Sequence, residues 1–318
     1  MSKEKIEHLE CVLSSHKLSK EETLLEKHRN KRQEVREFLQ SNYGNKSYNP
    51  FDSGSYAKNT AINTKFDFDL VLPFKRDSFS TLKEMYHDTL EVLTEKYKGT
   101  AYIKEQKVSI GLVFHADSDG HEIDIDVVPG RELNQDQYSD DKKLNLFVKK
   151  KYGILEEGSE QLRTNIHSQI QNIRNQADNA TDIRKVIRLL KVWKVNNNAK
   201  MKSFLIELIT IKAFQDGEIT GNIWDKLKSV IEYIKDNIET VNLIDPGNGG
   251  NNVSETLTDY DKQMIGDSMN FILQRIENDS SNLEYYFPVN PKFPCESSKG
   301  KYGVKESGFS IPPATKFG

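Results

Sequence analysis

The sequence is poor in cysteine and holds only two, Cys11 and Cys295, in 318 residues. Neither lies in a Cys-x-x-Cys pair or a Cys/His cluster, which argues against a zinc module. No apolar run approaches the ~20 residues that a membrane-spanning helix needs. The first eleven residues, MSKEKIEHLEC, lack the apolar core of a signal peptide. These absences predict a cytoplasmic protein without a membrane segment.

Neither sign of charge is in large excess, because 45 basic and 48 acidic residues leave a net charge of −3. Proteins that grip long nucleic acid usually carry a strongly basic face, so a long DNA duplex is not an expected partner. One segment, residues 181–202, holds seven Lys and Arg residues against a single Asp. A local patch of this size suits a nucleoside triphosphate. The sequence contains no Gly-x-x-x-x-Gly-Lys motif, which argues against a P-loop NTPase.

The most informative motif that is present joins a small turn to an acidic strand. Gly54-Ser55 is followed, after eleven residues, by Asp67-Phe68-Asp69. A Gly-Ser turn can bring backbone N–H groups and a hydroxyl against phosphate oxygens. Side chains two apart on a strand share a face, so Asp67 and Asp69 are expected to form one carboxylate cluster.

A second acidic strand, HEIDIDVVP, offers the third carboxylate of this cluster. Asp124 and Asp126 lie on the same face of that strand, and Asp126, next to its end, is the favoured candidate. Three carboxylates predict a site for two Mg²⁺ ions, with Mn²⁺ as an alternative, because both metals prefer oxygen ligands. Two such ions clamp the attacking and leaving oxygens of a phosphoryl displacement.

The pattern of apolar residues predicts a mixed first half and a helical second half. A long helix is expected from residue 19, with Ser19 and Glu22 as a capping box, and another over 80–97. Strands are expected near residues 48–53, 66–74, 108–115 and 121–128, the last two joined by a turn at 117–120. Residues 130–158 are predicted to be a connection with one helical segment. Helix N-caps are expected at Thr181, Ser203, Thr220 and Ser254.

These elements predict an α/β (α+β) protein of three parts. Residues 1–158 form a core with a bracing N-terminal helix, and residues 159–286 form a helical lobe that binds nucleotide. Residues 287–318 form an extended or flexible tail that is rich in proline and glycine. The active-site cleft is expected between the core and the helical lobe.

Several polar residues of the second half are candidates for nucleotide contacts. One helical stripe carries Arg184, Arg188 and Lys191, and it is either a solvated face or a phosphate site. Lys191 is the favoured phosphate contact, and Lys194 is expected on another face of the helix. Ser203 either caps a helix or binds phosphate, and Phe204 either stacks on a base or packs in the core. The polar loop DPGNGGNN, with Asp245 and Asn252, is either a plain connection or a contact to ribose or base.

These motifs together resemble the nucleotidyltransferase superfamily, and within it the bacterial cGAS/DncV-like enzymes, which are relatives of the oligoadenylate synthetases. The resemblance covers about residues 19–277 and rests on GSYAKNTAINTKFDFDL, EIDIDVVPG, IRLLKVWK, SFLIEL and DPGNGGNNV. It implies a polymerase-β-like core. It also implies metal ligation by Asp67, Asp69 and Asp126, phosphate contacts from Lys191 and Ser203, base stacking on Phe204, and a nucleotide contact from the loop of Asp245 and Asn252.

The resemblance also implies a function. Such enzymes join nucleoside triphosphates, ATP among them, into a cyclic di- or trinucleotide or a short oligonucleotide and release pyrophosphate. The product serves anti-phage signalling (CBASS) by switching on a separate effector. The alternatives are a polymerase-fold enzyme that modifies RNA ends or a protein, and a non-catalytic nucleotide- or RNA-binding module. The zinc-binding insertion of the animal DNA sensors is absent.

The C-terminal residue carries one more expectation from the resemblance. Some relatives end in a flexible tail whose terminal glycine or alanine is joined to a target by a ubiquitin-transfer-like partner enzyme. Gly318 fits that requirement, and an ordinary frayed end is the alternative.

Overall fold

The computed structural model describes residues 2–64, 67–116, 118, 120–149 and 159–295. Within them, a seven-stranded mixed sheet lies beside a lobe of packed helices. No helix in this part of the chain is both long and apolar enough to cross a membrane. The predicted mixed sheet with a C-terminal helical lobe is confirmed.

The strands form one large sheet and one small ribbon. Their bounds are β1 Phe51–Ser53, β2 Phe68–Phe74, β3 Ala101–Glu105, β4 Ile110–Phe114, β5 Ile123–Glu132, β6 Leu144–Lys149, β7 Ser159–Thr164, β8 Ile244–Asp245 and β9 Asn248–Asn252. The large sheet has the order β1-β2-β5-β4-β3, and β6 pairs with the end of β5 and with β7. The β2–β5 pair is parallel, whereas every other described pair is antiparallel.

The α-helices enclose the sheet on one side and form the second lobe on the other. Their bounds are α1 Ser2–Ser15, α2 Glu22–Tyr43, α3 Gly54–Ala57, α4 Leu82–Lys96, α5 Tyr138–Asp141, α6 Ile166–Arg174, α7 Ala180–Asn196, α8 Ser203–Asp216, α9 Ile223–Asn237, α10 Asp259–Asn278 and α11 Asn282–Tyr286. The expected long helix is therefore present as α2. Its N-cap is Glu21 without a side-chain cap, so the predicted Ser19–Glu22 capping box is wrong.

Helices α2 and α4 pack on the sheet through apolar stripes. Leu25, Val35 and Leu39 of α2 lie in one buried cluster with Phe68 and Leu70 of β2. Burial of such side chains contributes about 1.5–3 kcal/mol each and fixes the direction in which β2 runs. Strand β2 is therefore held from behind by the core.

The helical lobe has its own core, built by helices α7 to α10. Helix α1 packs there through Leu9, Val12 and Leu13 rather than on the sheet. Strand β7, which starts at residue 159, extends the sheet past the predicted boundary at residue 158. Two segments therefore differ from their predicted part of the chain: α1 packs in the helical lobe, and β7 belongs to the sheet.

The segment after α11 packs along α1 instead of leaving the fold. Phe287 is fully buried, and Pro288 O accepts a hydrogen bond from His16 Nε2 at 3.0 Å. A disulfide joins Cys11 of α1 to Cys295. Residues 287–295 form neither helix nor strand, but they are packed, so the alternative of a flexible tail is wrong for them; the rest of that tail, with Gly318, lies outside the described residues. Disulfides persist in oxidising compartments, so this bond is not what a cytoplasmic location predicts.

Several helix starts differ from their predicted caps because local capping depends on the side chain that reaches the free N–H groups. The N-cap residues are Asn179 for α7, Asn222 for α9 and Thr258 for α10, and the latter two form full capping boxes. Ser203 is the first residue of α8, after the N-cap Lys202. The polar connection at residues 130–158 holds strand β6 as well as the short helix α5.

Candidate active site

The parallel pairing of β2 with β5 places two of the predicted carboxylates next to each other. Asp69 and Asp126 are register partners, and Ser53 of β1 lies opposite Asp69 on the other side. Asp67 is exposed just before β2. Asp124 is exposed and pairs with Val113 on β4, and the charge of Asp67 also reaches it. The register thus makes Asp126, rather than Asp124, the direct neighbour of Asp69, and the choice of Asp126 as third ligand stays a prediction.

Gly54 closes the site against Asp69. Its φ of +63° lies in the left-handed region, and a Cβ built there would lie 1.6 Å from Asp69 Oδ2. Only glycine accepts both the backbone conformation and the contact. The Gly-Ser turn therefore lies directly on the carboxylate that the following strand supplies.

The carboxylates repel each other in a partly desolvated place. Burial, followed by the charges of Asp67 and Asp126, raises the pKa of Asp69 to about 7. Burial and the charge of Asp67 raise the pKa of Asp126 to about 6. A bound cation would remove this penalty, because it favours the ionised form of every oxygen ligand.

Gln106, at the turn between β3 and β4, orients Asp126. Its Nε2 donates to Asp126 Oδ1 at 2.8 Å, and its Oε1 accepts from Ser109 Oγ at 2.9 Å. Gly111 leaves room for this contact, because a Cβ there would lie 2.6 Å from Gln106 Nε2. Gln106 and Gly111 were not predicted as site residues, because the sequence indicated the hairpin of β4 and β5 but neither strand β3 nor the turn that carries Gln106.

A cavity of about 570 Å³ opens in front of these residues, between the sheet and the helical lobe. Seven of the predicted site residues line it: Gly54, Ser55, Asp67, Asp69, Lys191, Ser203 and Phe204. Asp126, the register partner of Asp69 on the adjacent strand, is not among the lining residues. The predicted cleft therefore brings the acidic pair and the phosphate candidates to one space.

The fit of a metal to this cavity rests on the chemistry of its donors. In the described part of the chain, no three His, Cys, Asp or Glu side chains already converge as a metal cage. The three aspartates nevertheless supply oxygen donors, and burial together with their mutual repulsion raises the pKa of Asp69 and of Asp126. Hard divalent cations suit such a donor set. The residues therefore fit divalent metal ions, although they are not preassembled around one.

Lys191 belongs to a buried charge cluster that the sequence did not reveal. Its Nζ donates to Glu207 Oε1 at 3.0 Å and to Thr60 Oγ1 at 2.9 Å, and Lys58 Nζ donates to Glu207 Oε2 at 2.9 Å. Burial favours the neutral form of Glu207, but the two ammonium groups outweigh it and lower its pKa to about 2. Two ammonium groups and one carboxylate leave one positive charge in excess beside the cavity. The cluster also joins the Gly-Ser turn to α7 and α8.

Lys194, Ser203 and Phe204 line the same cavity on its helical side. Lys194 Nζ donates to Ser203 Oγ at 3.1 Å, so the prediction that Lys194 lies on a face away from Lys191 is wrong. The ammonium of Lys58 lies 4.7 Å from the centre of the Phe204 ring. One face of that ring is therefore already covered by a cation.

Asp245 and Asn252 contribute to this region only through other residues. Asp245 is buried and accepts hydrogen bonds from Gln169 Nε2 at 2.9 and 3.1 Å, and it is Gln169 that lines the cavity. Asn252 Oδ1 accepts from Leu243 N and Ser254 N, which fixes the β8–β9 ribbon. A direct nucleotide contact from these two residues stays a prediction.

Comparison with known proteins gives relatives of one kind. No family model matches the chain. The chain is 23% identical over 242 residues to the CBASS oligonucleotide cyclase CdnC of Escherichia coli strain KTE188, covering 67% of this chain and 71% of that protein.

Solved structures share the fold at low identity. The structure of E. coli MS115-1 CdnC with ATP matches with a TM-score of 0.62 and 22% identity, covering 83% of this chain and 91% of that chain. The STING-associated CdnE c-di-GMP synthase of Capnocytophaga granulosa matches with a TM-score of 0.61 and 16% identity, covering 84% and 85%. The polymerase-β-like fold predicted from the sequence is confirmed. These matches lead to one conclusion: the chain shares the fold of the bacterial cGAS/DncV-like nucleotidyltransferases CdnC and CdnE.

Proposed function

We propose that this chain is a CBASS cyclic oligonucleotide synthase that uses Asp67, Asp69 and Asp126 to join nucleoside triphosphates. The observation that carries the proposal is the register of β2 and β5, which sets Asp69 beside Asp126 and against Gly54. Across the cavity lie Lys191 and Ser203, which supply a cation and a hydroxyl. A site for metal-bound phosphates needs these two opposed surfaces.

In the proposed reaction, a ribose hydroxyl of one nucleotide attacks the α-phosphate of another. The new O–P bond forms as the bond to the bridging oxygen breaks, pyrophosphate leaves, and the hydroxyl proton passes to solvent. A second such step closes the ring. Two divalent ions, Mg²⁺ or Mn²⁺, held by the three aspartates, would lower the pKa of the hydroxyl and neutralise the leaving group.

The protein's own residues mainly bind and orient. Ser55 and Ser203 donate hydroxyls toward phosphate oxygens, and Lys191 supplies charge from the buried cluster that Glu207 holds in place. The exposed face of Phe204 stacks on a base. ATP is the proposed substrate among the nucleoside triphosphates, and it is also the ligand named for the solved CdnC structure.

The test is incubation of the full chain with labelled ATP, GTP, CTP and UTP and Mg²⁺, followed by separation of phosphatase-resistant products. We expect one such product, which Asp126→Asn abolishes. Asp124→Asn is the matched control, because it makes the same change two residues earlier on the same strand and should keep most activity. A linear product attached to RNA or protein would refute the cyclase assignment. If Asp126→Asn is active and Asp124→Asn is inactive, the third metal ligand is Asp124 and not Asp126.

Three further expectations remain proposals of this function. The product acts on a separate effector, the protein works in the cytoplasm, and Gly318 is a substrate for a ubiquitin-transfer-like partner. A partner-containing bacterial extract that links Gly318 of the full chain to another protein would support the last of these. Loss of that adduct on deletion of residue 318, with synthesis unchanged, would assign it to the terminus.

A further inference from the structure

We propose that a second cavity, behind the Gly-Ser turn, binds a small phosphorylated molecule of about mononucleotide size. This cavity measures about 610 Å³ and lies between the start of α2, strand β1, helix α3, helix α6 and helix α7. Helix α3 is the wall between the two cavities. Gly54 and Ser55 line the catalytic one, and Tyr56 and Ala57 line the second.

The second cavity is lined by more positive than negative charges. Lys17, Arg29, Arg174 and Arg188 line it, and Asp52 is the single acidic residue among the described lining residues. Asp52 is already paired, since its Oδ2 accepts from Arg32 Nη1 at 3.0 Å and its Oδ1 accepts from Arg36. A chain with a net charge of −3 thus collects unbalanced positive charge at this place. Such a concentration attracts anions.

Arg188 has a partly buried guanidinium on which Glu10 is the acidic residue that acts, and only through its charge. Its Nε is buried and has no hydrogen-bond partner among the described residues, and the same holds for Nε of Arg184 one turn earlier. Burial and the charge of Arg184 lower the pKa of Arg188. A desolvated cation is costly unless it is paired. An anion in the cavity would supply that pair.

The chemistry of the lining residues favours phosphate as the anion. Planar guanidinium groups bind phosphate oxygens in pairs, and three of the four cations here are arginines. Phe51, Tyr56 and His167 supply flat ring surfaces in the same wall. The volume is close to the 570 Å³ of the catalytic cavity. A phosphorylated molecule that carries a ring system therefore fits both the charge and the shape.

Binding at the second cavity should be felt at the catalytic turn. Arg174 Nη2 donates to Ala57 O at 3.0 Å, and Arg29 Nε donates to Tyr56 Oη at 3.1 Å. Two of the four cations therefore hold helix α3, whose first residue, Gly54, lies against Asp69. A ligand that competes for these arginines changes how they hold α3. We expect this to change the affinity for ATP, a step that rests on the proposed function. By reciprocity, ATP must then change the affinity for the second ligand by the same factor.

Inorganic phosphate is the probe, titrated calorimetrically into the full chain in EDTA, so that the readout does not depend on synthesis. We expect Arg188→Gln to weaken phosphate binding about tenfold or more, as loss of a charged hydrogen-bond donor does. Arg188→Lys, which keeps the charge, should recover part of the loss. Lys185→Gln is the matched control. It removes one positive charge from the same helix, lines neither cavity, and breaks only a half-exposed pair with Glu10, so binding should stay within about twofold.

Three results would overturn the proposal. If Arg188→Gln and Lys185→Gln weaken phosphate binding equally, the binding depends on the overall charge of the helix and not on this cavity. Loss of phosphate binding in Ser203→Ala with retention in Arg188→Gln would place the anion in the catalytic cavity. Binding of a long DNA duplex that depends on Arg188, without phosphate binding, would make the ligand a nucleic acid. If Arg188→Gln fails to fold by circular dichroism, Arg174→Gln, an exposed position, decides by the same measurement.

Discussion

Replacement of Glu207 by glutamine tests the buried charge cluster directly. Glutamine keeps the size of the side chain and one acceptor oxygen, but it removes the charge that faces Lys58 and Lys191. Both ammonium groups would stay buried, since their residues are only 7% and 5% exposed. Removing one partner of a buried ion pair costs about 3–5 kcal/mol. We therefore expect Glu207→Gln to lower the free energy of unfolding by that amount.

The assay is urea unfolding followed by circular dichroism, with Glu277→Gln as the matched control. Glu277 accepts from Lys228 Nζ at 3.0 Å, but its side chain is 57% exposed. Exposed pairs of this kind contribute between about 0 and 1 kcal/mol. The same chemical change should therefore cost several times more at Glu207 than at Glu277.

A double-mutant cycle with Lys58→Met separates pairing from general damage. If Lys58 and Glu207 stabilise each other, the double variant loses at least about 1 kcal/mol less than the sum of the two single variants. The KM for ATP should rise in Glu207→Gln more than kcat falls, because Lys191 binds phosphate in ground and transition states alike. An unfolding free energy of Glu207→Gln within about 1 kcal/mol of the wild type, or simple additivity, would refute this reasoning.

Three shorter predictions concern the turn, the acidic pair and the disulfide. Gly54→Ala should lower synthesis by about tenfold or more, because its Cβ would lie 1.6 Å from Asp69 Oδ2, whereas Gly99→Ala, at a φ of +77° with no atom within 4 Å, should affect stability alone. The pKa of Asp69 is about 7 in the folded protein and about 3.9 in unfolded chains, so the stability of the metal-free protein should fall as the pH rises between these two values. Melting curves recorded in EDTA at several pH values should show this slope, and Asp69→Asn should flatten it. Cys295→Ser should lower the melting temperature without reductant and leave it unchanged with dithiothreitol, because the lost bond to Cys11 closes a loop of nearly the whole chain.

The parts of the site that could be predicted from the sequence are those formed by residues close together in the chain. The Gly-Ser turn, the paired aspartates and the two acidic strands each lie within a short window. A continuous apolar run locates β2, and alternation of apolar and acidic residues locates the start of β5. Family resemblance then gave Lys191 and Ser203 a place in the cleft, and both line the cavity. Their role as nucleotide contacts stays a prediction.

The residues that the sequence missed depend on contacts between distant segments. Glu207 pairs with Lys58 across 149 positions, and Gln106 reaches Asp126 only because β4 lies beside β5. A glutamate within an apolar helix and a glutamine in a turn carry no local sign of such partners. The spacing of Cys11 and Cys295 likewise says nothing about a bond that requires the end of the chain to lie along α1.

Strands β6 and β7 were missed for a different reason. Strand β7 reads SEQLRT, which lacks the apolar alternation by which strands are recognised, whereas β6 reads LNLFVK, a short apolar run inside a segment whose other residues are polar. Pairing with the end of β5 organises them instead. Tertiary context overrides local propensity at such sheet edges.

The parallel pairing of β2 with β5 has a consequence for the order of folding. Asp69 and Asp126 meet only after the chain has passed through α4, β3 and β4, and pairing over such a sequence separation is intrinsically slow. The step that closes this pair also brings like charges together. Protons or divalent cations in the refolding buffer should therefore accelerate it, so that the ions proposed for catalysis would also act as folding catalysts for the strand that holds them.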